Sequence, residues 1–253
     1  MIPLKKPEEL DAMREAGHAA ARVLDEMVRH TAPGVTTGEL DDLARDTIRR
    51  LGATSAFLGY RGFPGHTCIS VNEEVVHGIP GSRIIQSGDL VSIDVGVFYR
   101  GFVGDNARSV LVGAVDPRVG ELVRVARESL DAGISKAVPG GRLGDISNAI
   151  ETVIRRHGFS VVKDYVGHGV GRALHEEPQI PNFGPAGKGP VLRAGMTLAI
   201  EPMLNLGAAQ VVTLADKWTV VTRDRKPSAH VEHTIAITEN GPEVLTPWPS
   251  NPS

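Results

Sequence analysis

Acidic side chains occur at four places in segments that otherwise have the composition of buried β-strands. Two of them belong to one stretch, SIDVGVFYRGFVGD, at residues 92–105. A charged carboxylate in an apolar interior is very costly unless it holds a proton or faces a cation. The four acids, with a histidine that lies between glycines in GHGVG, are Asp94, Asp105, Glu201, Glu232 and His168. This pattern indicates acid–base or metal chemistry.

The two aspartates belong to one predicted hairpin, and its turn decides how they face each other. A two-residue turn at Tyr99-Arg100 would place Asp94 directly opposite Asp105, with their Cβ atoms about 4.5–5.5 Å apart. Because Tyr-Arg is not a favoured turn, a longer loop through Gly101 is the second option, and it would shift this register. The acids remain neighbours in both arrangements. The alternative is that one of them is exposed to solvent and harmless.

Four carboxylates carry the charge that would balance two divalent cations. Two metal ions about 3.5–4 Å apart can hold and activate a single water molecule. Oxygen ligands with one imidazole suit manganese, iron, cobalt or zinc. The chain has a single cysteine, Cys68, which excludes an intramolecular disulfide and a cysteine-rich zinc site. We therefore expect a pair of divalent ions held mainly by oxygen.

Helices and short strands must position these residues. Helical spacing of apolar residues predicts helices over 7–30, 119–137 and 145–157, and a further helix that follows a capping box formed by Thr36 and Glu39. Strands are predicted over 68–72, 89–98, 102–112, 196–204, 210–214, 218–222 and 231–238. Short connections between strands favour antiparallel pairing, and helices gathered in pairs favour an α+β fold.

The chain also contains an internal repeat. Segment 33–52, PGVTTGELDDLARDTIRRLG, aligns without gaps with segment 139–158, PGGRLGDISNAIETVIRRHG. Further along, residues 87–94 align with 194–201, so that Asp94 matches Glu201. Two halves of one design, related by a pseudo-twofold axis, would place a site at their seam.

Composition indicates an ordinary globular protein. The 253 residues are 41% hydrophobic and 23% charged, with a net charge of -3. We expect one domain over 1–253, with halves of about 5–115 and 116–245, and a loosely ordered tail at 246–253. No dense basic run, membrane span or signal peptide is evident, so a cytoplasmic, monomeric protein that binds neither nucleic acid nor membrane is expected.

Six motifs, in this order, resemble those of type I methionine aminopeptidases, which are pita-bread metallopeptidases. They are GYRGFPGHTCISVNEEVVHGIP, LVSIDVG, GD, GHGVGRALHEEP, AIEPM and VEHT. The resemblance extends from about residue 5 to 245. It implies a pita-bread fold, in which a curved antiparallel sheet is backed by two helix pairs with pseudo-twofold symmetry. That expectation agrees with the repeat.

The resemblance also implies a role for individual residues. The metal ligands would be Asp94, Asp105, His168, Glu201 and Glu232. Catalytic residues would be His77, His175 and Glu201, the last as proton shuttle, and both histidines would contact substrate. The pocket for the methionine side chain would be formed by Tyr60, Phe63, Cys68 and Trp218. Two divalent ions (Co, Mn, Fe or Zn) would be bound, with a structural monovalent cation as a further expectation.

The implied activity is removal of the N-terminal methionine from nascent polypeptides, near the ribosome, when the second residue is small. Other pita-bread peptidases, such as proline dipeptidase or aminopeptidase P, are the first alternative, but they usually carry a preceding domain. A non-catalytic binding protein on the same scaffold is the second, although such a protein would be expected to lose ligands. The chain departs from the usual motifs at Arg61, Asn106, Leu174 and His230.

Overall fold

The computed structural model describes residues 2–248, in which the helices form two consecutive pairs. All four predicted helices are present, and their ends differ from the prediction by a residue or two. They are α1 (Pro7–His30), α2 (Thr37–Arg50), α3 (Pro117–Ser135) and α4 (Leu143–Arg156). Across the described residues, no helix is both long enough and apolar enough to cross a bilayer.

The second helix of each pair begins in the same way, as the internal repeat predicts. The backbone N–H of Thr36 donates to Glu39 Oε2 at 2.7 Å, and the Thr36 hydroxyl accepts the N–H of Glu39 at 3.1 Å. In the second pair the backbone N–H of Arg142 donates to Asp145 Oδ2 at 2.8 Å. The predicted capping box is confirmed, and its acidic member recurs at the matching position of the repeat.

The strands form one large sheet and two small ones. They are β1 (Thr54–Ser55), β2 (Cys68–Val71), β3 (Glu74–Val76), β4 (Leu90–Tyr99), β5 (Phe102–Leu111), β6 (Ser160–Val161), β7 (Gly167–Gly169), β8 (Glu176–Ile180), β9 (Thr197–Ile200), β10 (Met203–Asn205), β11 (Val211–Thr213), β12 (Val220–Thr222), β13 (Ser228–His230), β14 (Glu232–Thr238) and β15 (Gly241–Val244). The predicted strand over 196–204 is wrong in one respect, because it is broken into β9 and β10. Pro202 stands in the break, where its missing N–H cannot continue a ladder.

The large sheet is antiparallel and has the order β1-β4-β5-β14-β9-β7-β8, with β2 on β4 and β15 on β14. Its centre is the pair β5–β14, where a strand of the first half meets a strand of the second. One apolar cluster joins α1 and α2 to β2 and β4. Another joins α3 and α4 to β9 and β14. Each helix pair therefore covers its own half of the sheet, as the predicted α+β architecture requires.

The first helix approaches the sheet closely at a glycine. A Cβ built on Gly104 of β5 would overlap the backbone carbonyl of Ala16 in α1. Because the overlapping atoms belong to the helix backbone, they cannot move aside as a flexible side chain could. Glycine is therefore required for the helix and the strand to pack at this distance. Gly81, by contrast, has open space around its Cβ position and an ordinary φ.

The expected loosely ordered tail is wrong for its first residues. Thr246 is fully buried, and Trp248 packs against both apolar clusters. The indole ring of Trp248 lies 4.2 Å from the His233 ring, measured between centroids. Burial of the aromatic ring between the two helix pairs stabilises this segment by more than the conformational entropy that is lost when it is ordered. The remainder of the expected tail, 249–253, lies outside the described residues.

Replacing Gly104 with alanine should lower the stability of the fold. The added methyl group meets backbone, so the expected loss is about 1–3 kcal/mol of unfolding free energy. Thermal and urea unfolding of Gly104→Ala and the control Gly81→Ala measure this effect. Equal midpoints for the two variants would contradict the close packing of α1 on β5.

Candidate metal centre and substrate pocket

The turn of the β4–β5 hairpin lies one residue further along than the two-residue turn first considered. Tyr99 pairs with Phe102, so the turn is Arg100-Gly101, and both residues have positive φ (49° and 80°). Such a turn matches the natural twist of a hairpin, and glycine adopts it readily. The predicted direct opposition of Asp94 and Asp105 is therefore wrong, and the register shift through Gly101 is confirmed.

The shifted register still brings three acids together, around one alanine. Ala107 of β5 is opposite Asp94 on one side and opposite Glu232 on the other. Asp105 is two residues from Ala107 and so shares its face of the sheet. Because alanine is small, the space above it is left to the three carboxylates. The predicted neighbourhood of the two aspartates thus holds as a diagonal contact.

A second alanine organises the other half of the site. Ala199 of β9 is opposite His168 on β7 and Thr234 on β14. Glu201 follows Ala199 by two residues, where Pro202 ends the strand. The Nε2 atom of His168 lies 3.5 Å from Glu201 Oε1 and 3.7 Å from Asp105 Oδ2. The acids of the two halves therefore face a common space.

All five sequence-predicted ligands line one cavity of about 640 Å³. Three of them, Asp105, His168 and Glu232, are buried, and each offers one atom within 4.8 Å of the others. Oxygen atoms of Asp94, Asp105 and Glu232 are buried without a hydrogen-bond partner. Buried polar atoms are nearly always paired, so this orphaned set indicates a missing counter-charge.

Burial also raises the pKa of every carboxyl group in the cluster. For Asp105 burial raises the pKa to about 7. The pKa values of Asp94, Glu201 and Glu232 lie well above their usual range, because burial and then the neighbouring carboxylates disfavour the charged form. A bound cation would reverse this effect by stabilising the ionised groups.

The tautomer of His168 supports a metal ligand. Its Nδ1 lies 2.9 Å from the backbone carbonyl of Gly169, and a carbonyl can only accept, so Nδ1 carries the proton. Burial lowers the pKa of His168 to about 3, so the ring is neutral. The Nε2 lone pair therefore points at carboxylate oxygens, an arrangement that repels unless a proton or a metal cation lies between them. The donor set of one imidazole and several carboxylates fits a hard or borderline divalent ion.

The remaining predicted site residues form the walls of the same cavity. They are Tyr60, Phe63, Cys68, His77, His175 and Trp218. Phe63 meets Trp218 edge to face, with ring centroids 5.1 Å apart. Cys68 pairs with Asp94 across β2 and β4, and burial raises its pKa, which keeps the thiol protonated. Cys68 is therefore placed as a wall of the cavity with no activated sulfur.

The two predicted catalytic histidines line the cavity and have different aromatic neighbours. His77 has a positive φ of 60° and packs edge-on against Trp218 and Tyr165. His175 lies with its Nδ1 2.8 Å from the Tyr60 hydroxyl, and its ring centroid is 4.2 Å from that of His168. Burial is the first cause that lowers the pKa of each, to about 4 for His77, so both rings are neutral near pH 7.

Sequence reasoning missed two features of this cavity. Tyr165 lines it and packs against His77; its position just before the glycine-rich GHGVG was the available signal. Glu176, which follows His175 in the motif GHGVGRALHEEP, forms a 2.6 Å ion pair with Lys5. Its other oxygen accepts the backbone N–H of Arg172 at 2.8 Å. The segment that carries His175 is thus tied to the beginning of the chain.

The positions that depart from the usual motifs have different surroundings. Arg61 is exposed at the rim, with its guanidinium carbon 5.4 Å from the Tyr60 ring centroid. Leu174 is buried in the cavity wall. Asn106 lies on the opposite face of the sheet, where its amide donates to the Val95 carbonyl at 3.1 Å. His230 is buried 3.5 Å from Glu201.

A family model places this geometry among known proteins. The model for metallopeptidase family M24 matches residues 11–239, which span both halves of the sheet and all five clustered groups. The chain belongs to metallopeptidase family M24. Members of this family are metal-dependent peptidases, in agreement with the orphaned carboxylates and the lone pair of His168.

Individual M24 relatives match along almost the entire chain. Methionine aminopeptidase 1 of Bacillus subtilis is 53% identical over 246 residues, covering 97% of this chain and 99% of that protein. Methionine aminopeptidase of Clostridium perfringens is 52% identical with the same coverage. The crystal structure of methionine aminopeptidase from Thermotoga maritima superposes with a TM-score of 0.96 at 51% identity, covering 97% of this chain and 99% of that one.

Prolidases of the M24 family share the fold at greater distance. The prolidase of Pyrococcus horikoshii superposes with a TM-score of 0.78 at 22% identity. It covers 97% of this chain, but only 64% of the prolidase chain is matched. The predicted pita-bread α+β fold is confirmed by these structures.

The contribution of the carboxyl cluster to the stability of the metal-free fold should fall as pH rises, whereas the stabilisation by a bound divalent ion should increase. The carboxyl groups of the cluster have raised pKa values, so between about pH 4 and pH 7 they bind more protons in the metal-free folded state than in the unfolded state. They therefore make the thermal midpoint fall as pH rises through that window. Buried neutral histidines such as His77 and His168, with pKa values lowered to about 4 and about 3, act in the opposite sense. The contribution of Asp105 is therefore measured as the midpoint difference between the unmodified protein and Asp105→Asn, which should become less favourable to the unmodified protein as pH rises. Divalent ions require ionised ligands, so the midpoint gain on adding Mn²⁺ should be larger at about pH 8 than at about pH 5.5.

Thermal melts of the metal-free and Mn²⁺-loaded protein at both pH values measure these two effects. Asp105→Asn should reduce both, whereas the control Glu239→Gln, which changes an exposed carboxylate away from the cavity, should alter neither. A gain from Mn²⁺ that is the same at both pH values would contradict the assignment of the cluster as a metal centre.

Proposed function

We propose that the protein removes the N-terminal methionine from polypeptides. The observation that carries this proposal is the joining of a carboxylate-rich centre to an aromatic-walled cavity of about 640 Å³. The M24 match and the methionine aminopeptidase relatives support it. The reaction class is metal-dependent hydrolysis of the first peptide bond.

The five clustered groups are proposed to hold two divalent ions chosen from Co, Mn, Fe or Zn. His168 would bind through Nε2, since Nδ1 is engaged by the Gly169 carbonyl. Asp94, Asp105, Glu201 and Glu232 would bind as carboxylates. When bound, such ions act as Lewis acids and lower the pKa of a water molecule toward neutrality.

The chain's own residues would manage the protons of the reaction. Glu201, placed at a strand end and facing the cluster, would take a proton from the attacking water and pass it to the leaving amine. His175 would donate a hydrogen bond to the carbonyl oxygen as negative charge develops there. If the Tyr60 hydroxyl donates to Nδ1 of His175, the imidazole proton lies on Nε2, which is the state that this role requires.

His77 and the aromatic wall would determine which residue is removed. His77 is proposed to contact the nitrogen of the scissile bond. Phe63, Trp218, Tyr60 and Cys68 would surround the methionine side chain, because a flexible thioether packs favourably on aromatic and sulfur-containing surfaces. A small second residue is proposed, as the resemblance to type I methionine aminopeptidases implies.

The cellular setting and assembly of the protein form a separate part of the proposal. Nascent polypeptide N-termini are the proposed substrates, met near the ribosome in the cytoplasm, and the protein is proposed to act as a monomer. A single catalytic domain over 1–253 and a structural monovalent cation remain part of the same proposal. Measurement of the molecular mass in solution and metal analysis test these points directly.

Cleavage of short peptides distinguishes methionine removal from the prolidase-like alternative. After metal reconstitution, Met-Ala-Ser should be cleaved far faster than Ala-Ala-Ser, because only methionine fills the aromatic pocket. Peptides with proline in second position and no methionine should be cleaved poorly. Chromatographic measurement of released amino acids checks this. Release of residues before proline, without preference for methionine, would favour the prolidase-like alternative.

Loss of the proposed proton shuttle should abolish turnover. Glu201→Gln keeps the side-chain size but cannot accept a proton, so kcat should fall by about 100-fold or more. A matched control is Glu177→Gln, which changes an exposed carboxylate on the rim of the same cavity. Substantial residual activity in Glu201→Gln, with metal content unchanged, would contradict the role of Glu201.

The charge at the rim should affect substrate binding. Arg61 repels the positively charged N-terminus of a substrate, so Arg61→His should lower KM by about two- to fivefold near neutral pH, as expected for one exposed charge. The change should shrink at high salt. Arg225→His, another exposed arginine with positive φ, serves as control. Unchanged KM and kcat in Arg61→His would show that this charge has no such role.

A further inference from the structure

His230 is a buried imidazole beside the metal centre to which the proposed reaction gives no task. The residue is 2% exposed and ends β13, which pairs with β10 so that His230 is opposite Met203. Its backbone N–H donates to the Ser109 hydroxyl oxygen at 3.0 Å, and its carbonyl accepts from the same hydroxyl at 2.9 Å. Ser109 is in turn 2.8 Å from the Ser92 hydroxyl. The backbone of His230 is therefore held on both sides.

The ring of His230 points at one carboxylate. Its Nε2 is buried without a hydrogen-bond partner among the described residues. That atom lies 3.5 Å from Oε2 of Glu201, while the other carboxylate oxygen, Oε1, lies 3.5 Å from Nε2 of His168. Glu201 is thus bracketed by two imidazoles, one for each of its oxygens.

The two imidazoles offer different groups to Glu201. His168 has its proton on Nδ1, which donates to the Gly169 carbonyl, so its Nε2 presents a lone pair. In the part of the chain that the structure describes, no hydrogen bond fixes a proton on Nδ1 of His230, and the oxygens of Glu201 can only accept once a bound cation keeps that group ionised. The proton of His230 is therefore best placed on Nε2, where it meets Oε2 of Glu201.

We propose that His230 is a positioning residue that donates a hydrogen bond from Nε2 to Oε2 of Glu201. This contact fixes the carboxylate plane and leaves Oε1 for the metal and the reacting water. The proposal rests on the function proposed for Glu201. At 3.5 Å the bond is not yet formed, and hydrogen bonds in active sites commonly shorten only when ligands are bound. Outer partners of this kind orient metal ligands and strengthen their binding.

Three substitutions separate a donor from a ligand or a space-filling group. The variant His230→Gln keeps an N–H donor at nearly the same distance from Glu201. The variant His230→Asn is equally polar but one methylene shorter, so its amide does not reach Glu201, and His230→Leu has a comparable volume and no donor. If His230 acted instead as a metal ligand through its lone pair, His230→Gln would lose Mn²⁺ affinity and kcat along with the other two variants.

The experiment titrates the metal-free protein with Mn²⁺ by calorimetry and then measures kcat and KM on Met-Ala-Ser. His230→Leu and His230→Asn should each weaken Mn²⁺ binding and lower kcat by about 10–100-fold, with KM little changed. His230→Gln should restore both values to within a few-fold of the unmodified protein. Thermal melts establish whether each variant is folded. If His230→Leu does not fold, the comparison of His230→Asn with His230→Gln tests the proposal.

The results that overturn the proposal are distinct from failure of the proposed function. Unchanged Mn²⁺ affinity and kcat in His230→Leu or His230→Asn would exclude a positioning role. A loss of Mn²⁺ affinity and kcat in His230→Gln as large as that in His230→Leu would also exclude it and would indicate that His230 is a metal ligand. If the unmodified protein failed to cleave Met-Ala-Ser, the proposed function would be wrong, while the calorimetric arm would still decide the contact between His230 and Glu201.

Discussion

The structure depends on holding four carboxyl groups together in an interior where water cannot fully solvate their charges. Their burial raises the pKa of each group, so the metal-free fold carries an electrostatic cost that the two apolar clusters must outweigh. The sheet makes this possible by placing small residues, Ala107 and Ala199, where the acids converge. The helix pairs lie on the other face, and they stabilise the sheet without entering the site.

The two halves of the chain contribute unequally to the chemistry. The first supplies the hairpin acids Asp94 and Asp105, which are fixed by a continuous ladder. The second supplies His168 at a register shift in β7, Glu232 at the first residue of β14, and Glu201 in the break after β9, so that only Glu201 lies outside a ladder. This division fits a centre in which one side holds charge in place while the other takes part in proton transfer.

Much of the architecture could be predicted from the sequence, because helical spacing, capping residues and the repeat are local signals. The five clustered residues also came from local context, as acids in apolar strands. The hairpin register could not be predicted, since Arg100 adopts a positive φ that its identity does not signal. The burial of Trp248 depends on a seam between helix pairs that are distant in sequence. The placement of the His230 backbone likewise depends on Ser109, which is far from it along the chain.

The ion pair between Lys5 and Glu176 gives the start of the chain a role at the rim of the cavity. Lys5 is held further by its backbone N–H, which donates to the Gly195 carbonyl at 2.7 Å. Local opening of residues 2–6 would release Glu176 and, with it, the adjacent His175. Under the role proposed for His175, catalytic competence would then decay on heating before the sheet melts, and inactivation would be separate from global unfolding.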